Sequence, residues 1–516
     1  MVKAHSRTRK SIRNSMVALT IQFLAMIAGF FSRKIFIDCL GTEVLGLNTT
    51  ATSILNCLNV IELGIWNAIS FTLYKPLFDG DRKAVREIIA LQGWLYKIIA
   101  GLVIIGSLVV MCFFPHIFSK SPLPIWYAYA TFGVLLYSSI LTYFVNYKRN
   151  ALYADQQNYK VLLCSRLISL VKLISQAVAV YLSDNGYIWW LVLEVVFATA
   201  GAFITQIVVY KAFPYLREPV ENASQLRFKY PEVLTKIKLL AFHKFFGFMM
   251  SQTGPIIIYA FASLSMVALY GNYLILTGNL FAVMSALYAG MEASVGNMVA
   301  EGDRKLTMTV FKELFSSRFL IIAVSTLCLW ILSDAFISVW LGPEYVMGKT
   351  TLALIIAGYF FGCTRSIVST FTDAHGMFND IWAPGVEAVL NVGLSILGGH
   401  LYGLNGILGG ALISQMLIGF IWKPYYLFRW GLHESVMIYV RLYAKYLAIT
   451  LAASAAVLAL STLIHIDPAS SFVAFFEYAA LILAASVGAM GGLAYIVDGS
   501  ARSFVKRITA VISGRK

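Results

Sequence analysis

The sequence has little charge: Asp, Glu, Lys and Arg together account for 13% of its 516 residues. Soluble domains of ordinary composition carry about 25% charged residues, so a water-soluble protein of this length is excluded. Acidic residues are the scarcer kind, with 25 against 40 Lys and Arg, and the formal net charge is +15. The 6 cysteines show neither metal-ligand nor disulfide spacing, and we interpret them as small packing residues.

Apolar residues dominate the chain. Hydrophobic types make up 59% of it, and the mean hydropathy is +0.76. Repeated apolar runs of about 20 residues or more predict membrane-spanning helices, and the first run, beginning near Ser15, is too long for a signal-peptide core. The sequence therefore predicts an all-α polytopic membrane protein with about 14 transmembrane helices. The predicted spans are 15–39, 45–74, 88–114, 124–146, 161–183, 187–211, 239–262, 264–298, 315–340, 350–372, 381–400, 404–428, 439–463 and 472–497.

The loops between these spans differ in charge. With the N-terminus placed in the cytoplasm, most Lys and Arg fall in cytoplasmic loops, whereas the loops assigned to the outside hold Lys120 and Lys349. This positive-inside pattern predicts that both termini are cytoplasmic. Anionic lipid of the inner leaflet explains the basic loops, so no nucleic-acid partner is predicted.

The tetrapeptide Gly-Asp-Arg-Lys occurs twice, at residues 80–83 and 302–305. With the same offset, residues 47–78 align without a gap on residues 269–300. Chance similarity between apolar helices is one interpretation. The other is an internal repeat, in which spans 1–6 and 7–12 form two six-helix lobes related by a pseudo-two-fold axis along the membrane normal. The repeat predicts an N-terminal lobe at 1–216, a C-terminal lobe with its cytoplasmic linker at 217–430, and two extra helices with a cytoplasmic tail at 431–516.

Basic side chains inside the apolar runs are the most informative feature of the sequence. They include Arg33, Lys34, Arg166, Lys172, Lys244 and Arg365. A cation in the hydrocarbon region costs roughly 2.5–3.5 kcal/mol, so such residues usually face a polar cavity or a partner. We predict that Lys34 pairs with Asp38, four residues on, and that Arg166 reaches the inner surface. Arg33, Lys172, Lys244 and Arg365 remain as a predicted anion-binding cavity.

Polar side chains accompany these cations on the same helices. Gln22 shares a helix face with Arg33, and Asn48, Asn59 and Glu62 share a face of the second span, so all four are predicted to line the cavity. Glu62 is either a coupling site for H⁺ or Na⁺ or the counter-ion of Arg33, and the sequence leaves both open. Three further acids are predicted to be salt-bridge partners of the basic residues: Glu194, Glu292 and Glu387.

Two glycine-containing segments could be mistaken for nucleotide sites. Gly348-Lys349-Thr350 matches the end of a P-loop, but the glycine required at position 343 is replaced by Pro343, so ATP hydrolysis is excluded. Glycines cluster between residues 398 and 410, around a predicted outer turn. Because small residues allow membrane helices to approach closely, we interpret this cluster as helix packing.

Several segments carry a family resemblance. They are Leu40-Gly41-Thr42-Glu43-Val44-Leu45-Gly46-Leu47, Leu58-Asn59-Val60-Ile61-Glu62-Leu63-Gly64-Ile65, Tyr74-Lys75-Pro76-Leu77, and Leu404-Asn405-Gly406-Ile407 with Gly409-Gly410. In these segments the chain resembles polysaccharide flippases of the Wzx type, which belong to the multidrug/oligosaccharidyl-lipid/polysaccharide exporter superfamily. The resemblance implies a V-shaped pair of six-helix bundles around a central cavity, in the bacterial cytoplasmic membrane.

The resemblance also implies a function: flipping of an undecaprenyl-diphosphate-linked oligosaccharide from the inner to the outer leaflet by alternating access. Arg and Lys hold phosphates by charge-assisted hydrogen bonds, so a cationic cavity agrees with such a substrate. The alternatives are a multidrug exporter or a lipid II flippase of the same superfamily, and a membrane polysaccharide polymerase or ligase. The predicted outer loops are short and lack a catalytic constellation, so a transporter rather than an enzyme is predicted. Apart from a coupling ion, no cofactor is predicted; the predicted partners are the lipid-linked anionic oligosaccharide, membrane lipids, and polysaccharide polymerase or chain-length proteins.

Overall fold

The computed structural model describes residues 2–155, 157, 159–220, 222–231, 233, 234, 237, 245, 252–301, 303–377, 379, 380, 382–499 and 502. For some of these the backbone alone is described, among them residues 2–23, 67 and 289–294. Most of the predicted span 239–262 lies outside the described residues. Within the described part of the chain every regular element is helical, which confirms the all-α prediction.

The chain divides into two compact units, Met1–Ala268 and Leu269–Lys516. Long helices account for most of the first unit: α1 (Val2–Leu58), α2 (Leu63–Asp79), α3 (Arg82–Cys112), α4 (Ile125–Phe144), α5 (Tyr159–Leu182) and α6 (Gly186–Ala212). Shorter helices and 3-10 turns connect them at Asn59–Glu62, Phe114–Ile117, Asn146–Arg149, Asn150–Ala154, Pro214–Arg217, Ala223–Gln225 and Leu226–Lys229. The predicted lobes at 1–216 and 217–430 stay a prediction.

Helix α7 (Leu264–Glu301) begins in the first unit and continues into the second. The second unit then contains α8 (Arg304–Trp340), α9 (Lys349–Ala374), α10 (Trp382–Gln415), α11 (Val436–Ser461) and α12 (Phe472–Val497). After α10 the helix continues with wider π-type turns at Met416–Trp422 and Leu427–Gly431, on either side of Lys423–Tyr426. Among the described residues, 10 helices are long and apolar enough to cross a membrane.

Two predicted outer turns are interruptions of single long helices in the structure. The predicted loop at 40–44 reduces to Gly41, whose φ of 84° interrupts α1. The predicted turn between 400 and 404 is confirmed as an interruption of α10 at Tyr402 and Gly403, where Gly403 has a φ of 57°. Left-handed φ values favour glycine because it lacks a Cβ, so each glycine turns the chain almost without a loop.

The helical hairpin on either side of Gly403 packs backbone against backbone. A Cβ placed on Gly398 would lie 2.2 Å from the Gly406 oxygen, and one on Gly406 would lie 1.9 Å from the Gly398 oxygen. Gly410 makes a similar approach to Leu394, at 2.4 Å. The packing interpretation of this glycine cluster is confirmed.

The last two long helices attach to the second unit through buried polar contacts. Asp498, which directly follows α12, lies 2.6 Å from the Lys445 Nζ of α11. Tyr446 also donates a hydrogen bond to Asp498, and the Ser316 hydroxyl of α8 does so at 3.3 Å. Above these contacts Phe315 and Phe319 of α8 pack against Tyr446. The C-terminal helix pair is therefore held to α8 by polar and aromatic contacts around residues 315–319.

Candidate substrate-binding site

Arg33 lies within α1, about two helical turns before the interruption at Gly41. Its Nη2 donates a hydrogen bond to the Ala268 backbone oxygen near the start of α7, at 3.2 Å. The adjacent Lys34 points elsewhere, and its Nζ lies 3.4 Å from Asp38 Oδ2. Because both of these side chains are nearly half exposed, at 40% and 49%, the predicted Lys34–Asp38 pair is confirmed as a peripheral contact. Arg33 is the inward-facing cation of the two.

Lys172 belongs to a polar group inside the helical hairpin formed by α5 and α6. Its Nζ lies 2.8 Å from Glu194 Oε1, and Gln176 donates a hydrogen bond to the other Glu194 oxygen at 3.0 Å. Gln176 also donates to the Trp190 backbone oxygen at 3.2 Å. The salt-bridge role predicted for Glu194 is confirmed. Arg166, six residues earlier on the same helix, is exposed, and its reach to the inner surface stays a prediction.

Arg365 of α9 forms an ion pair with Glu387 of α10, and the Glu387 side chain is completely buried. The salt-bridge role predicted for Glu387 is therefore confirmed. Gly419, in the π-type turn after α10, leaves room for the Arg365 side chain: a Cβ on Gly419 would lie 3.0 Å from Arg365 Cδ. The Glu387 carboxylate therefore holds the guanidinium on one side, and the Gly419 backbone, which carries no side chain, lies close to the arginine on another.

Arg365 lines a cavity of about 510 Å³ within the second unit. The polar lining comes mainly from one face of α9, where Ser366, Ser369, Thr370 and Asp373 follow Arg365 at helical spacing. Ser285 of α7 adds another hydroxyl. The cavity therefore combines an arginine, several hydroxyls and a carboxylate, a set able to donate to phosphate oxygens and to exchange hydrogen bonds with sugar hydroxyls.

Arg318 is a buried cation that the sequence interpretation missed. It lies in the first half of α8, is 3% exposed, and donates from Nη1 to the Thr370 hydroxyl at 2.9 Å. Its guanidinium also lies 4.4 Å from the ring centre of Tyr288. Since Thr370 lines the Arg365 cavity, Arg318 fixes one wall of that cavity. The sequence did not indicate this role, because Arg318 lies near the start of a predicted span, where a basic residue is ordinarily assigned to the membrane surface.

Asn59 and Glu62 lie together in a buried polar cluster of the first unit. Asn59 Oδ1 accepts hydrogen bonds from the Tyr143 hydroxyl at 2.9 Å and the Ser139 hydroxyl at 3.2 Å. Glu62 Oε1 accepts from the Tyr96 hydroxyl at 3.1 Å. Glu62 is thus surrounded by tyrosine hydroxyls, and neither the ion-coupling interpretation nor the counter-ion interpretation is tested by these contacts.

Three predicted cavity residues remain, namely Asn48, Lys244 and Gln22. Asn48 belongs to α1 and its Oδ1 is buried, with no hydrogen-bond partner among the described residues. Lys244 and the side chains of Gln22 and Glu292 lie outside what the structure describes. The structure therefore brings Asn59 and Glu62 together within the first unit, and it places Arg365 beside a cavity of the second unit. A shared site for all predicted residues stays a prediction.

Solved structures of membrane transporters share this fold. The lipid II flippase MurJ in an inward closed conformation matches with a TM-score of 0.61 and 15% identity, over 92% of this chain and 98% of its own. An inward-facing multidrug resistance MATE family transporter of the MOP superfamily matches at 0.58 and 12% identity, over 80% and 98%. A mutant of the Vibrio cholerae MATE transporter VcmN matches at 0.51 and 13% identity, over 81% and 99%. No protein-family model and no curated protein sequence matches the chain.

At these identities the likeness establishes the fold. The helical fold of this chain is that of the solved MATE-family and MurJ structures, and its many long apolar helices make it a multi-pass membrane protein. The proteins named above are two MATE transporters and a lipid II flippase. The narrower Wzx-type resemblance of the sequence is not tested by these names.

Proposed function

We propose that this protein moves a lipid-linked anionic oligosaccharide from the inner to the outer leaflet of a bacterial cytoplasmic membrane by alternating access. The carrier lipid would be undecaprenyl diphosphate, with its tail in the bilayer and its headgroup crossing through the protein. The observation that carries the proposal is the Arg365 cavity, because it supplies donors for phosphate and hydrogen-bonding groups for sugar in one place.

The chemistry of Arg365 suits a phosphate even though Glu387 neutralises its charge. An arginine has five N–H donors in a fixed fork, and the contact with Glu387 engages Nη1. Other donors of the same guanidinium can therefore serve a ligand, and the ion pair holds the fork in a defined orientation. Phosphate recognition here depends on oriented donors more than on net charge.

The remaining lining groups suit a glycan. Ser366, Ser369 and Ser285 can both donate and accept hydrogen bonds, and the Asp373 carboxylate accepts them. A site that recognises a bare cation would need carboxylates without a competing guanidinium, so this lining supports a sugar diphosphate over a cationic drug.

The membrane potential would assist this transport. In a cell that is negative inside, moving about two negative charges outward gains roughly 4–5 kcal/mol per 100 mV. The main task of the protein would then be to lower the desolvation barrier for the headgroup. A gradient of H⁺ or Na⁺ acting at Glu62 is the remaining proposed form of coupling.

Reconstitution tests the proposal directly. The purified full chain is placed in liposomes with a fluorescent undecaprenyl-diphosphate oligosaccharide, and exposure of the headgroup in the opposite leaflet is measured by quenching. We expect Arg365→Ala, Arg33→Ala and Lys172→Ala each to slow flipping at least several-fold. Arg166→Ala is the matched control, because Arg166 is a basic residue on the same helix as Lys172 but exposed.

The same liposomes separate the alternatives. Export of cationic dyes without flipping of the lipid would identify a multidrug exporter, and preference for lipid II over other lipid-linked glycans would identify a lipid II flippase. Elongation of glycan chains by the purified protein would identify a polymerase. Full activity in the Arg365, Arg33 and Lys172 variants would overturn the proposed substrate contacts.

A further inference from the structure

A second cavity, of about 260 Å³, lies in the second unit apart from the Arg365 cavity. It is bordered by the start of α8, the end of α9 and the turn that follows Gly431. Its polar lining consists of Arg304, Thr307, His375 and His433, and no acidic side chain is found among the described residues that line it. The function proposed above uses none of these residues.

Arg304 belongs to the second copy of the Gly-Asp-Arg-Lys repeat, and the two copies differ at this residue. In both copies the aspartate caps a helix: Asp81 accepts from the Ala84 N–H at 3.0 Å, and Asp303 accepts from the Lys305 N–H at 2.9 Å. In the first copy Arg82 lies over the Tyr215 ring, 5.8 Å from its centre. Arg304, in contrast, lines the cavity. Capping explains the aspartates, whereas the cavity gives Arg304 a role that Arg82 does not have.

His433 holds an unfavourable backbone conformation at this cavity. Its φ is 54°, in the left-handed region, and it follows directly after the end of a helix. The next residue, Glu434, donates its N–H back to the Phe428 oxygen at 2.9 Å, closing a helix C-terminus of the kind where glycine is usual. A histidine there is strained, and such strain is typically retained where the side chain has a function.

His375 places a second imidazole in the same lining, at the end of α9. Its Nδ1 lies 2.8 Å from the Phe371 backbone oxygen, so Nδ1 carries the hydrogen and donates to that carbonyl. Any contact of this ring with a ligand is therefore made by Nε2.

We propose that this cavity is a binding site for a phosphate group. Arg304 would bind it with two parallel N–H donors, an imidazole N–H of His433 and the Thr307 hydroxyl would donate to it, and the His375 ring would contact it through Nε2. Two histidines without a third ligand do not make a metal site, and no group of three metal-ligating side chains occurs among the described residues. The site is independent of the proposed transport function, because it binds phosphate whether or not the Arg365 cavity carries a substrate.

The first test measures binding without transport. Inorganic phosphate and pyrophosphate are titrated into the detergent-solubilised full chain by calorimetry. We expect saturable binding that falls at least tenfold in Arg304→Gln and is unchanged in Arg82→Gln, the matched arginine of the other repeat copy. Absence of saturable binding, or an equal loss in both variants, would overturn the proposal.

The second test uses the strain at His433. In His433→Gly the backbone should relax, so the melting temperature rises while phosphate affinity falls several-fold. This opposite change in melting temperature and affinity separates a ligand role from a purely structural one; a higher melting temperature with unchanged affinity would contradict the assignment of His433.

A third test distinguishes the source of the phosphate. In nanodiscs, phosphatidylglycerol should weaken the apparent phosphate affinity of the wild type if the site takes lipid headgroups, and have no effect if it takes free phosphate. Either result of this comparison supports a phosphate site, provided that Arg304→Gln abolishes the binding.

Discussion

Lys172 and Glu194 lie on adjacent helices, with Nζ and Oε1 2.8 Å apart and side chains that are 27% and 14% exposed. The pair therefore neutralises a charge that would otherwise be unfavourable inside an apolar hairpin. Gln176 orients the carboxylate from the same helix as Lys172. Each charge of such a pair is tolerated only while its partner is present, because a single uncompensated charge in a low-dielectric environment destabilises the protein.

Removing one charge should be worse than removing both. Glu194→Gln leaves the Lys172 ammonium without its carboxylate and should destabilise the protein by about 3 kcal/mol, as for other buried pairs that lose one partner. The double variant Lys172→Met with Glu194→Gln should recover most of that loss. Melting in detergent, followed by the loss of monodisperse protein, measures both. A single variant as stable as the wild type would show that water reaches Lys172.

Arg365 should be sensitive to the size of residue 419. In Gly419→Ala the new Cβ would lie 3.0 Å from Arg365 Cδ, so the side chain must shift within the cavity. We expect flipping to slow several-fold, with a stability cost below about 1.5 kcal/mol because a flexible side chain can move aside. The control is Gly409→Ala, where nothing lies within 4 Å of the new methyl group. Equal rates in the two variants would argue against a role for the position of Arg365.

The stability of the protein should depend on pH through the ionisation of the Glu43 carboxyl. The Ser265 hydroxyl donates to Glu43 Oε1 at 2.8 Å, and this hydrogen bond lowers the pKa of the Glu43 carboxyl below its usual value. A lowered folded-state pKa adds stability above the unfolded-state value of about 4.3, and that stability is lost as the pH falls through the folded-state pKa.

Ser265→Ala should therefore lower the melting temperature at neutral pH, and the difference from the wild type should shrink below about pH 4. A Glu43→Gln background is the control, because residue 43 then carries no proton to titrate. If the effect of Ser265→Ala keeps the same pH dependence in that background, another group is responsible.

The sequence predicts contacts that are local along the chain better than contacts between distant elements. Lys34 and Asp38 could be paired in advance because residues four apart lie on one face of a helix. The role of Glu194 and Glu387 as counter-ions followed from the cost of burying any charge, but periodicity does not show which cation each one meets. That choice depends on how helices pack.

Arg318 is the clearest example of a residue whose contacts could not be predicted from the sequence. Its hydrogen-bond partner Thr370 is 52 residues away, and its place near the start of an apolar run is typical of an interfacial residue. The sequence did not predict the Arg365 cavity either. Ser366, Ser369 and Thr370 follow that arginine at helical spacing, but hydroxyls in membrane helices commonly bond to their own backbone, so this pattern does not by itself indicate a cavity. The helices themselves were predictable from composition, since only helices satisfy backbone polar groups in lipid without forming a barrel.

The glycine hairpin offers the most direct test of the fold. Gly398→Ala would place a methyl carbon 2.2 Å from the Gly406 backbone oxygen, and backbone atoms cannot move aside as a flexible side chain does. The two helices must separate, which should cost about 1–3 kcal/mol by overpacking and lower the melting temperature and the yield of folded protein. Gly393→Ala, earlier on α10 with nothing within 4 Å of the added methyl group, should leave both unchanged, and alanine there gains in helix propensity. If the two variants melt alike, the two helices of this hairpin do not meet at residues 398 and 406, and the turn at Gly403 would need a different geometry.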